Sequence, residues 1–164
     1  MKVKYDVTVP NGQYFAIGYG WSMTDCDMVW WSANSSQSTQ EDLWSTSHDK
    51  PVVKTNNYQT SFTLDPSNTI VHFTSYRDVD PRQAKSYVIE LDKQIELCFA
   101  YSLTSSELVN HKDNYGVFSM QLNSSGSSTL KLARTDAWTL HAWCLWAAWT
   151  VIGLLQIITN RYMV

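Results

Sequence analysis

The sequence predicts an all-β antiparallel sandwich followed by one C-terminal transmembrane helix. Two observations point to the sandwich: short alternating or β-branched segments recur between turn residues, and no long amphipathic helical pattern separates them. The helix follows from the tail, where Ala142 to Thr159 carry no charge. With the flanking Trp138–His141, this stretch reaches the roughly 20 residues that span ~30 Å of hydrocarbon. The expected organisation is a sandwich over 1–122, a linker over 123–137 and a membrane helix over 138–164.

With 164 residues, the chain has room for one domain with a proper core. A composition of 44% hydrophobic and 16% charged residues is globular rather than disordered. The net charge of -3 leaves no basic footprint, which excludes nucleic acid as a partner.

The strands follow in order. Lys2–Val9 alternates, with Val3, Tyr5, Val7 and Val9 on one side, so the chain opens on a strand rather than an apolar leader. Pro10-Asn-Gly12 is a turn signal, and Tyr14–Tyr19 is expected to complete a hairpin with the first strand. Asp27–Ser32 is a hydrophobic strand, followed by a Ser/Gln-rich loop over Asn34–Glu41. Asn57–Leu64 and Thr69–Tyr76 flank the turn Asp65-Pro66-Ser67-Asn68. Asp80-Pro81-Arg82 has the cap and first-position proline of a short helix start. Ile95–Tyr101 and Tyr115–Leu122 are late strands, and Asn123–Thr129 has the composition of a flexible linker.

Of eight tryptophans, four (Trp138, Trp143, Trp146 and Trp149) lie within the twelve residues 138–149. Trp138 and Tyr162 sit where interfacial aromatic belts form. The alternative is a buried core helix, with Gln156 as its awkward residue. Lys131 and Arg134 precede the helix and Arg161 follows it, so charge counting leaves its orientation undecided. Trp143, Trp146 and Trp149 share one broad helix face, which suits packing against lipid, a partner subunit or a cofactor.

Cys144 lies in the apolar tail, leaving Cys26 and Cys98 as the one pair in the body. Whether they bridge is open, because a disulfide needs a geometry that sequence does not supply. Asn34-Ser-Ser and Asn123-Ser-Ser fit the glycosylation pattern, consistent with a body on the extracytoplasmic side.

The segment Tyr14-Phe-Ala-Ile-Gly-Tyr-Gly-Trp-Ser-Met23-Thr-Asp-Cys-Asp27-Met-Val resembles the DOMON domain signature: an apolar strand ending in Gly, a loop Met, then an Asp before a hydrophobic strand. Val71-His-Phe-Thr-Ser-Tyr-Arg77-Asp-Val-Asp80 resembles the family's strand that ends in Arg with an Asp shortly after. Ile95–Tyr101 matches its late strand, and Asn110-His111 precedes Tyr115–Leu122 as the family's His precedes its last strand. The resemblance implies a b-type haem with Met23 and His111 as axial ligands, in a pocket between the sheets. His48 and His72 lack the matching context. Asp25 and Asp27 read as turn-forming and capping residues rather than a catalytic pair.

The tail carries a second resemblance. Leu140-His141-Ala-Trp-Cys-Leu-Trp-Ala-Ala-Trp149, with Gly153 and Asn160-Arg161-Tyr162, looks like the first helix of the cytochrome b561-type membrane module. Ala142 stands where Gly is usual, and the family's Pro before Gly153 is absent. The resemblance implies that His141 ligates a second haem if another subunit brings the partner histidine; otherwise the helix is an anchor.

The leading functional expectation is a single-pass membrane subunit transferring electrons outside the membrane. Its partners would be other membrane-protein subunits, such as a b561-type cytochrome, and a small reductant such as ascorbate. No nucleophile triad, metal-ligand cluster or phosphate-binding loop suggests a self-contained enzyme. Two other readings stand beside it: a haem-free accessory or assembly subunit, and a carbohydrate-binding sandwich.

Overall fold

A computed structural model describes residues 1–109, 114–124 and 128–131. His111, His141 and the expected membrane helix lie outside the described residues, as does most of the linker. Ten strands occur among the described residues: β1 (Lys2–Pro10), β2 (Gln13–Tyr19), β3 (Cys26–Ala33), β4 (Thr39–Ser45), β5 (Val52–Val53), β6 (Tyr58–Leu64), β7 (Ile70–Asp78), β8 (Gln94–Ser102), β9 (Tyr115–Leu122) and β10 (Ser128–Lys131). They form two antiparallel sheets, one ordered β1-β7-β6 and the other β10-β9-β8-β2-β3-β4-β5. The all-β expectation holds, and none of the described residues forms a helix.

The alternation of β1 places Val3, Tyr5, Val7 and Val9 inside, as its sequence requires. Opposite them, Ile17, Tyr19, Val29, Trp31, Ile95, Leu97 and Phe118 come from the larger sheet. Trp31 donates its indole N–H to Ser75 Oγ at 2.9 Å, and Ser75 also accepts from Thr60 Oγ1 at 2.8 Å. The core between the sheets is therefore closed by both apolar packing and satisfied polar groups.

Three expectations fail locally, each for a visible reason. Strands β1 and β2 do not pair: β1 pairs with β7, while β2 pairs with β3 and β8. The Asn11-Gly12 turn is a corner between sheets, with Asn11 N donating to Thr69 O and Gly12 N donating to Ala33 O, both at 2.8 Å. Gly12 has φ +81°, the left-handed conformation that glycine adopts without strain. The polar stretch after Asn34 contains β4, which pairs with β3 along its whole length and so needs no hydrophobic signature. Finally, Asp80-Pro81 starts no helix. Arg82 and Lys85 have φ values of 54° and 62°, and the backbone N–H groups of Tyr87 and Ile89 donate to Asp27 Oδ2 and Val79 O.

Candidate functional site

Among the described residues, the cavity between the sheets is much smaller than the expected pocket. This cavity, lined by residues such as Tyr5, Ile17 and Met120, measures only about 10 Å³, because large side chains from both sheets meet there. A cleft of about 500 Å³ lies instead on the opposite, outer face of the larger sheet, within the ~300–1,000 Å³ common for ligand and cofactor sites.

This outer face departs from the polar exterior usual for a sandwich. Every residue of β3 is buried, so both of its faces are covered. Tyr14, Ala16, Cys26, Met28, Trp30 and Leu43 make a second apolar cluster there, with Met23, Cys98 and Leu108 packed against it. The cover comes from the chain after β8. Tyr14 Oη donates to Val109 O at 2.9 Å, and Ser32 Oγ donates to Ser106 O at 2.6 Å.

Within the cleft, Ala16, Gly18 and Ala100 lie on adjoining strands in register. The small Ala16 and Ala100 leave an apolar floor, and Gly18 beside them is covered by the side chains of Cys26, Cys98 and Met28. Trp21, Met23, Leu108, Val109 and Tyr115 line the walls. Trp21 and Tyr115 are 59% and 61% exposed, so the rim presents large apolar surface to solvent. The half-buried Met23 follows Gly20, whose φ of +134° turns the chain out of β2. Its thioether sits against the apolar cluster and on the cleft wall.

His48 also lines this cleft, from the loop after β4. Its sequence context gave no sign of that, because the loop reaches the cleft only through the pairing of β4. His72 lies in β7 of the other sheet, bonded to Thr8 Oγ1 at 3.1 Å, away from the cleft. Of the expected ligand pair, Met23 lines the cleft. His111 falls within the undescribed residues, while Val109 and Tyr115, which bound that segment, both line the cleft.

Behind the site, Asp27 is neither a turn former nor a simple cap. It is buried, 2.6 Å from Lys54 Nζ and 3.1 Å from Arg77 Nη2. Lys54 also reaches Asp42 at 3.0 Å. Burial raises the Asp42 carboxyl pKa, opposed by its hydrogen bond with Lys54. Arg77 lies 4.7 Å above the Tyr19 ring and donates to Tyr87 O. Tyr19 and Tyr5 share a buried hydroxyl hydrogen bond. Burial pushes the phenols of Tyr5 and Tyr58 well above their usual range, so this inner network holds the Arg charge among neutral phenols. It stiffens the strands on the far side of the cleft floor.

The fold is a two-sheet antiparallel sandwich with an apolar cleft on the outer face of its larger sheet. The DOMON domain model matches residues 1–102, and the chain belongs to the DOMON family. No curated protein sequence matches it. The structure is similar to the cytochrome b domain of pyranose dehydrogenase from Coprinopsis cinerea, with a TM-score of 0.58 and 10% identity over 98% of this chain and 80% of that one. It also resembles the cytochrome domain of Myriococcum thermophilum cellobiose dehydrogenase, with a TM-score of 0.49 and 12% identity over 90% and 71% of the two chains. At these identities the likeness is one of fold.

Proposed function

We propose that the chain is a b-type cytochrome subunit that transfers electrons outside a membrane, anchored by the helix expected over 138–164. The observation that carries the proposal is the outer-face cleft with Met23 in its wall. Its volume, the small Ala16 and Ala100 of its floor, and its apolar walls fit a planar macrocycle. One solved domain of similar fold is the cytochrome b domain of pyranose dehydrogenase.

In this reading Met23 supplies one axial ligand and His111 the other. Bound haem supplies one-electron exchange at its iron. The chain's residues set the conditions for that exchange. A thioether from Met23 and an imidazole from His111 would hold the iron in a way that favours its reduced state and suits electron exchange rather than substrate chemistry. Trp21, Leu108 and Val109 would shield a bound haem from water with their apolar side chains, and the exposed rim would give a donor or acceptor access to it. A small reductant such as ascorbate and a b561-type membrane subunit are the proposed partners. His141 is the proposed ligand for a second, shared haem. The body faces the extracytoplasmic side.

The test is a dithionite-reduced minus oxidised spectrum of the full chain and of Met23→Ala, His111→Ala and His48→Ala. A sharp b-type α-band that is lost or broadened in the first two and kept in the third supports the assignment. Loss in His48→Ala with retention in His111→Ala moves the second ligand to the β4 loop. No band, even after added haemin, leaves a haem-free accessory subunit that uses the apolar rim for protein contact.

A further inference from the structure

The floor of the cleft holds a second set of donors, independent of the haem reading. Gly18 of β2 stands opposite Met28 on β3 and opposite Cys98 on β8. Cys26 lies two residues before Met28 on the same face of β3. A Cβ placed on Gly18 would lie 2.6 Å from Cys26 Sγ, 2.7 Å from Cys98 Sγ and 3.4 Å from Met28 Cγ. Two cysteine sulfurs and the Met28 side chain, from two strands, therefore lie over one residue that has no side chain. The Cys26 thiol donates to the carbonyl oxygens of Tyr19 and Asp27 at 3.6 and 3.5 Å, and Cys98 Sγ lies 4.0 Å from Ser22 O.

These cysteines are badly placed for a disulfide. Strand β2 lies between β3 and β8, so their backbones are separated by two strand spacings, about 9.5 Å. A disulfide needs Cα atoms within about 6.8 Å, because its S–S bond is only about 2.05 Å long. Two metal–sulfur bonds of about 2.3 Å each bridge a wider gap between sulfurs. Both sulfurs nevertheless lie within 2.7 Å of one point above Gly18, a place from which a single metal ion reaches both.

The donor set selects the metal. Among the described residues no cluster of three or more His, Cys, Asp or Glu is arranged to hold a metal ion, so imidazole and carboxylate do not complete the shell. The nearby Asp27 carboxylate points to the other face of the sheet, toward Arg77 and Lys54. Two thiolates with a thioether are soft ligands, and they favour copper(I) over metals that need oxygen or nitrogen donors.

We propose that Cys26, Cys98 and Met28 form a copper(I) site at the floor of the cleft. Half-buried Cys98 faces the cleft and gives the ion entry, while Cys26, only 1% exposed, holds it from beneath. On binding, both thiols lose their protons to solvent and each sulfur donates an electron pair to the ion. The metal stays copper(I), so no oxidant or reductant takes part. Met23 is not needed, which separates this site from the haem ligands.

The test is an anaerobic titration of the reduced full chain with copper(I) against the chelator bicinchoninate, followed by X-ray absorption of the loaded protein. One copper(I) per chain in an all-sulfur shell is expected. Cys26→Ser and Cys98→Ser should abolish that equivalent, Met28→Leu should weaken it, and Met23→Leu and Cys144→Ser should leave it intact. Wild-type copper retained wholly by the chelator, or a shell containing nitrogen or oxygen, overturns the proposal even if the cysteine variants fail to fold. So does a Cys26–Cys98 disulfide formed in the folded chain with glutathione disulfide. Loss of the haem spectrum in Met23→Leu with copper binding unchanged would show the two sites to be separate.

Discussion

Asp27 of β3 and Arg77 of β7 meet across the two sheets, 3.1 Å apart, with side chains only 2% and 1% exposed. This contact joins the seven-stranded sheet to the three-stranded one through charge as well as apolar packing. Removing one member of a buried pair strands the other in a low dielectric. Asp27→Ala should therefore lower stability by about 3–5 kcal/mol in urea unfolding, leaving Arg77 unpaired among tyrosine rings. An effect below about 1 kcal/mol would mean the pair is as weak as a surface salt bridge.

The Trp31–Ser75 hydrogen bond is also buried and also crosses the sheets. Ser75→Ala leaves the indole N–H without its acceptor and Thr60 without one of its partners. The expected cost is about 1–3 kcal/mol by thermal or chemical denaturation. Trp31→Phe in the Ser75→Ala background should recover part of it, since the stranded donor is then gone.

Two glycines are required for space rather than for backbone conformation. A Cβ at Gly116 would meet Phe99 ring carbons at 2.7 Å, and one at Gly18 would meet both cysteine sulfurs. Gly116→Ala and Gly18→Ala should each destabilise by about 1–3 kcal/mol, the range for overpacking. Gly18→Ala should also reduce the haem spectrum, because its methyl group displaces the cysteine sulfurs that lie over it at the cleft floor. A fully stable Gly18→Ala with an unchanged spectrum would argue against a ligand lying on that floor.

Asp65 organises the turn between β6 and β7. Its carboxylate accepts from Thr69 N at 2.7 Å and Ile70 N at 2.8 Å, and from the Ser67 hydroxyl. These bonds, led by the one from Ser67, hold its pKa well below the usual carboxylate range. The folded pKa is depressed, so the stabilisation is complete above the unfolded value of about 3.9 and is lost as pH falls through the folded value. Melting temperature followed from neutral to strongly acid pH should show a shallower acid limb in Asp65→Asn and Asp65→Ala. Asp65→Asn should keep more of the neutral-pH stability, because its amide oxygen still caps the turn. Equal slopes in all three proteins would remove Asp65 from the acid transition.

Strand existence was legible because burial on one face writes a period of two into the chain, as in β1, β7 and β9. Pairing was not. Pro10-Asn-Gly12 has hairpin chemistry, yet a local turn does not specify whether the next strand joins the same sheet or the facing one. Here the bonds to Thr69 and Ala33 decide it. The hydrophobic run of β3 was visible, but its meaning depended on the 103–109 segment covering its outer face. Asp27 was misread for the same reason: its partners, Lys54 and Arg77, come from distant stretches of sequence.

By itself the sequence determined the all-β class, most strand positions, the DOMON resemblance and Met23 as a ligand candidate. Each of these depends on local pattern: period-two burial, turn residues and motif order. Tertiary structure decided that the cleft lies on the outer face and that His48 lines it. It also decided that Cys26 and Cys98 sit two strands apart over Gly18. Those facts depend on strand order and register, which are set by the summed packing of residues far apart in the chain.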